Sequence, residues 1–304
     1  MGINRYKIKK WFKMMTGKSL LHVEQGLGKS FVPGEIKGYY NDLTNKVILD
    51  PKTLENKELP KMQNERGEYI VFATTIFQYG LGCYDLMLQT NEDKYVNQFK
   101  KCVDWAFENQ DEKGGWNISA FAGSKSPYGA MAQGEGASLL IRAYIYYKET
   151  KFFGAAKKAI DLMLMPLDDG GTCKYSNGEL FLMEFMDLPC VLNGWIFSQF
   201  GLYDFVTVSK ERHYKELFDL SLDTMKKHIA DYDNGYWSKY DEKKMIASPF
   251  YHKLHIAQLS ALMLIDNDCV WTTYYEKFFK YQKKWWNRKR AFIKKVWQKL
   301  FCKE

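Results

Sequence analysis

The sequence predicts an all-α fold, an α/α toroid of about four helical hairpins that forms an incomplete barrel. From about residue 69 onward, apolar residues recur at three- and four-residue spacing, and strand-like alternation is scarce. Glycine-aromatic loops interrupt this pattern at 111–117, 168–175 and 231–240. The intervals from Gly115 to Gly171 and on to Gly235 are 56 and 64 residues, and each accommodates two helices. We therefore expect eight main helices, with the loops of their hairpins gathered on one rim.

Composition limits the classes of protein that remain. The 304 residues are 46% hydrophobic and 16% aromatic, which is enough for a large packed core. The six cysteines lie far apart without a CxxC spacing, which favours reduced thiols in a cytoplasm over a zinc site or disulfides. We expect no secretion signal and no membrane span. We also expect no metal and no cofactor, because nucleotide-binding and HExxH motifs are missing from the sequence.

The net charge of +8 is concentrated at the two ends of the chain. Residues 1–20 contain six Lys or Arg and no acid, and residues 280–304 contain ten Lys or Arg and one acid. Residues 21–279 therefore contain 28 basic and 35 acidic residues, a net charge of −7. A nucleic-acid-binding domain more often spreads basic residues over its folded surface. The charge pattern thus argues against a nucleic-acid partner.

We divide the chain into three segments. Residues 1–68 are a basic N-terminus followed by an irregular arm, which its polar-aromatic stretch GYYNDLTNKV indicates to be ordered and packed over the ring. Residues 69–280 form the toroid.

Residues 281–304 alternate apolar pairs with Lys and Arg, which is typical of an interfacial helix held on the inner face of a membrane. The alternatives are packing onto the ring and a grip for an anionic glycan. A chain truncated after Phe279 is expected to lose vesicle binding and to keep its activity.

The stretch FYHKLHIAQL, residues 250–259, begins the last predicted hairpin with a tyrosine and two histidines. In a helix Tyr251, His255 and Leu259 share one face, and His252 lies beside them. Periodicity alone favours an ordinary core helix. A helical ring of this kind commonly binds an extended ligand in its cleft, and its loops hold the functional groups.

Four motifs add a resemblance to a known family. The stretches NQDEKGGWNI, YGAMAQGEGASLLIRAY, VLNGWIFSQFGLYD and FYHKLHIAQL occur in this order. They resemble the C-terminal helical domain of D-glucuronyl C5-epimerases, enzymes that convert glucuronate to iduronate in heparan-type chains. The resemblance covers roughly residues 69–280. The segment that precedes a β-rich domain in the animal enzymes resembles TTIFQYGLGCYD, and the short spacing that follows it here implies that this domain is missing.

The resemblance implies three catalytic residues, Glu184, Tyr240 and Tyr251. The family has a Glu-Tyr pair ahead of the VLNG motif, and here the pair is Glu184 and Phe185, so the tyrosine is lost. The family's other two tyrosines match Tyr240 and Tyr251. The lost hydroxyl is expected to come from another tyrosine, or Glu184 works alone on that face. The candidate tyrosines are Tyr175, Tyr128, Tyr39 and Tyr40.

The resemblance also implies residues that bind substrate. Lys243 stands where the family has an arginine after Tyr240, and Tyr251 is followed by His252 and His255. These side chains are expected to stabilise charge on the sugar. The remaining expected contacts from the four motifs are Trp116, Tyr128, Gln133 and Asn193.

The family's chemistry explains these residue types. To invert C5 of a uronate, one group removes a proton next to the carboxylate and another returns a proton on the opposite face. We expect Glu184 and Tyr251 to be the opposing pair, with Tyr240 assisting. The expected substrate is a glucuronate-containing polysaccharide or a lipid-linked glycan. Two alternatives remain open, a uronate polysaccharide lyase of the same toroid type and a non-catalytic glycan-binding or assembly protein.

Overall fold

A computed structural model describes residues 13, 19, 22–64, 67–119 and 127–301. Most of the basic stretch at residues 1–20 lies outside this part, and so does Cys302, one of the six cysteines. The described chain begins with the arm. Its elements are α1 (Thr44–Ile48), α2 (Pro51–Glu55), β1 (Lys61–Gln63) and β2 (Tyr69–Val71). Strands β1 and β2 pair in antiparallel fashion, so the arm has more regular structure than its sequence indicates.

Four helical hairpins follow the arm, as predicted, and they form the toroid. They are α3 (Ala73–Thr90) with α4 (Asp93–Glu108), α5 (Ala130–Tyr147) with α6 (Thr150–Leu164), α7 (Leu192–Ser209) with α8 (Arg212–His228), and α9 (Pro249–Ile265) with α10 (Cys269–Lys283). Helices α3, α5 and α7 each end at a left-handed residue, namely Asn91, Lys148 and Lys210. This conformation ends a helix and turns the chain back into the next one.

The first helix of each hairpin lies inside the ring and the second lies outside. Helices α3, α5, α7 and α9 pack against one another in that order. Their buried residues lie on all sides, whereas α4 and α8 bury only one stripe. The backbones of α5 and α7 approach so closely that a Cβ on Gly201 would lie 2.3 Å from the carbonyl oxygen of Gly134. These glycines bring two inner helices into backbone contact.

The arm connects the first and last inner helices. Glu24 forms an ion pair with Lys253 of α9 at 3.2 Å, and the ring of His22 lies against Phe250. Further along, α1 packs against α3. Tyr39 and Tyr40 are fully buried between these contacts. The arm is therefore ordered and packs onto the ring, in the way that its polar-aromatic composition indicates.

Two elements outside the ring complete the described chain. A β-hairpin, β3 (Cys173–Ser176) with β4 (Glu179–Leu182), lies between α6 and α7, although the sequence pattern indicated no strands there. The helix α11 (Trp285–Phe301) follows the last hairpin. Among the described helices, none combines the length and the apolar character that crossing a membrane requires.

Candidate active site

Glu184 is held at the end of the β3–β4 hairpin. The hairpin turns at Asn177 and Gly178, whose positive φ values of 52° and 75° are those of a tight two-residue turn. Beyond β4, the amide of Met183 donates to Thr172, and its carbonyl accepts from the amide of Ala130. Glu184 is thus fixed beside the start of α5. The Asn-Gly pair in the sequence is the signal that could have predicted this hairpin.

The carboxyl group of Glu184 packs onto the first turn of α7. A Cβ on Gly194 would lie 2.3 Å from Glu184 Oε2, so only glycine leaves room for the carboxyl group there. Oε2 is buried and has no hydrogen-bond partner in the part of the chain that the structure describes. Burial raises the pKa of Glu184 to about 8. A carboxyl group with this pKa exchanges protons readily near neutral pH.

Tyr240 and Tyr251 face each other beside this carboxyl group. Tyr240 lies in the loop before α9, where its carbonyl accepts from the amide of Leu192 at 3.1 Å. Tyr251 lies in the first turn of α9, which Ser248 caps by accepting from the Tyr251 amide. The ring centroids of the two tyrosines are 4.9 Å apart.

Electrostatic coupling joins the three groups. Burial raises the pKa of Tyr240, and the charges of Glu184, Tyr251 and Asp241 raise this pKa further. Burial followed by the charge of Glu184 likewise raises the pKa of Tyr251. The structure therefore brings together the three residues expected to be catalytic. Both tyrosines keep their protons near neutral pH, which suits them to donate rather than to accept.

Unpaired amide and imidazole groups lie near the N-terminal ends of the inner helices. Both side-chain polar atoms of Gln133 in α5, Oδ1 of Asn193 in α7 and Nε2 of His255 in α9 are buried without a hydrogen-bond partner among the described residues. Oε1 of Gln258 in α9 shares this property, and sequence reasoning missed that residue. Buried polar atoms normally have partners, so several unpaired ones together indicate a ligand-binding interior.

Two residues that were expected to bind substrate have structural roles in this arrangement. The Nδ1 atom of His252 accepts from the amide of Ser238, and its Nε2 atom is bonded to the carbonyl of Phe278 at 3.1 Å. Both ring nitrogens of His252 are therefore occupied by protein groups, and the side chain holds the loop that leads to Tyr240. Trp116 is buried against Phe77 and donates to a backbone carbonyl, so it belongs to the core.

Lys243 and Tyr128 also differ from expectation. The side chain of Lys243 is exposed, and its backbone amide helps to fix Asp241. The hydroxyl group of Tyr128 donates to Asp111 Oδ2 at 2.5 Å, which ties this tyrosine to the first glycine-aromatic loop.

The other tyrosines considered as substitutes for the one lost at Phe185 lie elsewhere. The hydroxyl group of Tyr40 donates to Asp204, and Tyr39 stacks on Phe197 in the same region. Tyr175 lines a surface pocket between the outer helices α6 and α8. Tyr128 precedes Gly129, which packs against the backbone carbonyl of Glu184.

The described residues contain no group of three or more His, Cys, Asp or Glu side chains arranged to hold a metal ion. The chemistry that these residues support is proton transfer between a buried carboxyl group and two tyrosines. Gln133, Asn193 and Gln258 add buried amide atoms without partners among the described residues. A helical ring with this polar interior is typical of the α/α-toroid carbohydrate-active proteins.

Within that class, residues 110–280 match the family described as D-glucuronyl C5-epimerase C-terminus. The match covers more than half of the chain, and the chain belongs to this family. The matched region begins later than residue 69, where the resemblance began in the sequence. It includes Glu184, Tyr240 and Tyr251 and ends before α11.

The chain is also similar in sequence to two other proteins. The chain is 27% identical over 205 residues to the D-glucuronyl C5-epimerase of Caenorhabditis elegans, which covers 58% of this chain and 33% of that protein. It is 28% identical over 161 residues to an uncharacterized protein of Methanocaldococcus jannaschii, which covers 51% of this chain and 52% of that one. The chain thus spans about a third to a half of these relatives.

The solved structures are those of the α-1,6-mannanase GH76A of Salegentibacter sp. HEL1_6. The chain superposes on the enzyme with a TM-score of 0.52 at 15% identity, covering 78% of this chain and 68% of that one. An inactive variant in complex with α-1,6-mannotriose gives 0.51 at 15% identity, with coverage of 77% and 67%. At this identity the likeness shows the toroid fold alone.

Proposed function

We propose that this protein inverts C5 of D-glucuronate residues within a glycan by removing a proton and returning one on the opposite face. The observation that carries the proposal is the carboxyl group of Glu184, whose buried Oε2 is unpaired among the described residues and which is coupled to Tyr240 and Tyr251. Family membership supports the same reaction class.

The pKa shifts assign directions to the two proton transfers. Glu184, with a pKa raised to about 8, is ionised in a minor but substantial fraction of molecules near neutral pH. The pKa of Tyr251 is raised, so this residue keeps its proton. Glu184 therefore removes the C5 proton and Tyr251 supplies the new one, with Tyr240 assisting. Gln133, Asn193 and His255 bind the sugar hydroxyl groups.

The test is to incubate the protein in deuterium oxide with unsulfated glucuronate-containing polysaccharides. Deuterium at C5 without chain cleavage is the expected result. An unsaturated product that absorbs in the ultraviolet would instead indicate a lyase, in which the same carbanion expels the 4-linked sugar. Glycan binding with neither signal would indicate a non-catalytic protein, an outcome that the replacement of a family tyrosine by Phe185 makes worth testing.

We further propose that α11 attaches the protein to the inner face of a membrane, where a lipid-linked glycan is the substrate. Trp286, Ile293, Trp297 and Phe301 share one face of α11 and are 54–69% exposed. Lys and Arg residues lie between them, which favours an anionic lipid surface. The five described cysteines are free thiols, which agrees with a cytoplasmic location.

Flotation with anionic vesicles at low salt tests this attachment. The variant replaces Trp286, Ile293 and Trp297 by Gln. We expect it to remain at the bottom of the gradient while the unmodified protein floats. A matched control replaces three exposed apolar residues outside α11, namely Tyr69, Val71 and Leu264. If the unmodified protein does not float, the membrane proposal fails.

A further inference from the structure

Helix α11 lies beyond the region that matches the family, yet it packs on the loop that contains Tyr240. Ala291, Lys295 and Gln298 occupy positions i, i+4 and i+7 and thus share one face of the helix. Ala291 is fully buried in a cluster with Trp237 and Ile246. This face lies opposite to the exposed apolar face, so α11 contacts the protein on one side only.

Gln298 anchors the far side of the Tyr240 loop. Its Oε1 atom accepts from the amide of Ile246 at 2.9 Å, and its Nε2 atom donates to the carbonyl of Lys244 at 2.7 Å. The side chain is 4% exposed, so both bonds are sheltered from water. Met245, between the two bonded residues, accepts a hydrogen bond from the amide of Tyr240. The position of Tyr240 is therefore linked to α11 through a short chain of bonds.

Lys295 reaches the aromatic ring of Tyr240 from the same face. Its Nζ atom is 5.5 Å from the ring centroid, within the range of a cation–π contact. Burial lowers the pKa of Lys295 to about 8, and the charge of Asp241 opposes that shift. The other lysine considered for this site, Lys243, is exposed. Among the described residues, Lys295 is thus the cation that faces Tyr240.

We propose that Lys295 is a positioning residue for Tyr240, with Gln298 holding the loop, so that α11 forms one wall of the active site. The proposal rests on the proposed function for its effect on rate. The titratable and charged groups that face Tyr240 are Glu184, Tyr251 and Asp241, each of which disfavours a tyrosinate, and Lys295, whose amine lies over the ring. Helix α11 thus supplies a cation over the Tyr240 ring, where no described residue of the matched region places one.

The first test compares Lys295→Met with Lys294→Met in the full-length protein. Lys294 has the same charge and lies about 100° away around the helix. We expect Lys295→Met to lower kcat for C5 exchange about 10-fold or more with little change in KM, because the contact acts through Tyr240 and not on the substrate. Lys295→Arg should restore most of the rate. Equal rates in the Met variants of Lys295 and Lys294, or a change in KM alone, would overturn the proposal.

The pH profile separates this role from simple helix packing. Lys295 loses its proton as the pH passes about 8, whereas an arginine keeps its charge, so the rate of Lys295→Arg relative to the unmodified protein should rise across that pH. A merely structural role would leave this ratio independent of pH.

A second measurement does not depend on activity. Backbone amide hydrogen exchange of residues 236–247 should be faster in Gln298→Leu and in Lys295→Met than in Lys294→Met, because the first two changes release the loop. If the unmodified protein shows no C5 exchange, the proposed function fails and this measurement still tests the contact. Unchanged amide exchange in both variants would overturn the proposal.

The contact also corrects the expectation for the truncated chain. Removal of the residues after Phe279 deletes Gln298 and Lys295 together with the apolar face. We therefore expect the truncated chain to lose its activity on short soluble substrates as well as vesicle binding.

Discussion

Both ends of the inner helices contain buried polar groups, and the described groups at the two ends differ in how their charges are paired. At the C-terminal end, the thirteenth residues of α3, α5 and α7 are Asp85, Arg142 and Asp204, respectively. Arg142 and Asp204 form a fully buried ion pair at 2.6 Å. The arm completes this network, because Tyr40 donates to Asp204 and the amide of Tyr39 donates to Asp85.

At the N-terminal end, the buried groups of Gln133, Glu184, Asn193 and His255 leave atoms without partners among the described residues. Burial raises the pKa of Glu184, and among the described residues no positive charge lowers it again. The C-terminal end also leaves single atoms unpaired, such as Asp85 Oδ2, but its charges compensate each other. The comparison indicates that the C-terminal end stabilises the ring, whereas the unpaired groups at the N-terminal end are those that the proposed reaction needs.

The comparison is tested most strongly by Glu184→Gln and Tyr251→Phe. Each change removes a proton carrier and little volume, so C5 exchange should fall by about 10²- to 10⁴-fold while neither variant loses more than about 1.5 kcal/mol of unfolding free energy. Exchange kinetics and urea unfolding of the same samples check both statements. Near-normal exchange in both variants would show that the active site lies elsewhere.

The opposite pattern is expected at the C-terminal end. Arg142→Met leaves Asp204 buried without its cation, so the free energy of unfolding should fall by about 3 kcal/mol or more. The control is Arg212→Met, which breaks an exposed ion pair with Glu216 and should change stability by less than about 0.5 kcal/mol. If Arg142→Met is as stable as the control, the C-terminal network does not stabilise the ring.

Gly194→Ala refines the comparison by shifting a catalytic group without removing it. The added methyl group would lie 2.3 Å from Glu184 Oε2, so the carboxyl group must shift. A misplacement of this size lowers kcat by about 10²-fold. Gly154→Ala in α6, where a Cβ meets no atom within 4 Å, should leave the rate unchanged. Equal rates for the two variants would show that the position of the carboxyl group is unimportant.

A further effect is expected on the pH dependence of stability. The pKa of Glu184 is about 8 in the folded protein and about 4.5 when unfolded, so the folded state binds more protons between these values. Stability attributable to Glu184 therefore decreases as pH rises from about 4.5 to about 8. Glu135 and Asp85, with pKa values raised to about 8 and about 7, contribute in the same direction.

The difference in unfolding free energy between the unmodified protein and Glu184→Gln isolates the contribution of Glu184. The contributions of Glu135 and Asp85 are common to both proteins and cancel. We expect the variant to gain stability relative to the unmodified protein across the window. A difference that does not change with pH would mean that Glu184 is ionised normally in the folded protein.

The helices of the ring were predictable because their signal is local. Periodicity and the spacing of Gly115, Gly171 and Gly235 depend on residues close in the chain, and they yielded four hairpins. The sequence pattern did not reveal the β3–β4 hairpin, although Asn177 and Gly178 form a strong turn signal. Its strands have only four residues each, so their alternation of apolar and polar residues is too short to stand out between two helices.

The candidate site was predictable only in part. The motifs pointed to Glu184, Tyr240 and Tyr251, and the structure brings these residues together. Whether a side chain faces the interior depends on its packing against residues outside the motif. His252 and His255 show this, because they stand three residues apart in the same motif. The Nε2 atom of His252 is hydrogen-bonded to a carbonyl, whereas that of His255 has no partner among the described residues.

The sequence by itself determined the class of fold and the family, and it pointed to Glu184, Tyr240 and Tyr251 as candidates for proton transfer, because these follow from local periodicity and from motifs. Only the tertiary structure decided which buried groups compensate each other and which remain unpaired. It also showed that Lys295, far along the chain, faces Tyr240 while Lys243 does not. Burial and charge pairing depend on side chains from distant segments, and no stretch of sequence contains both partners.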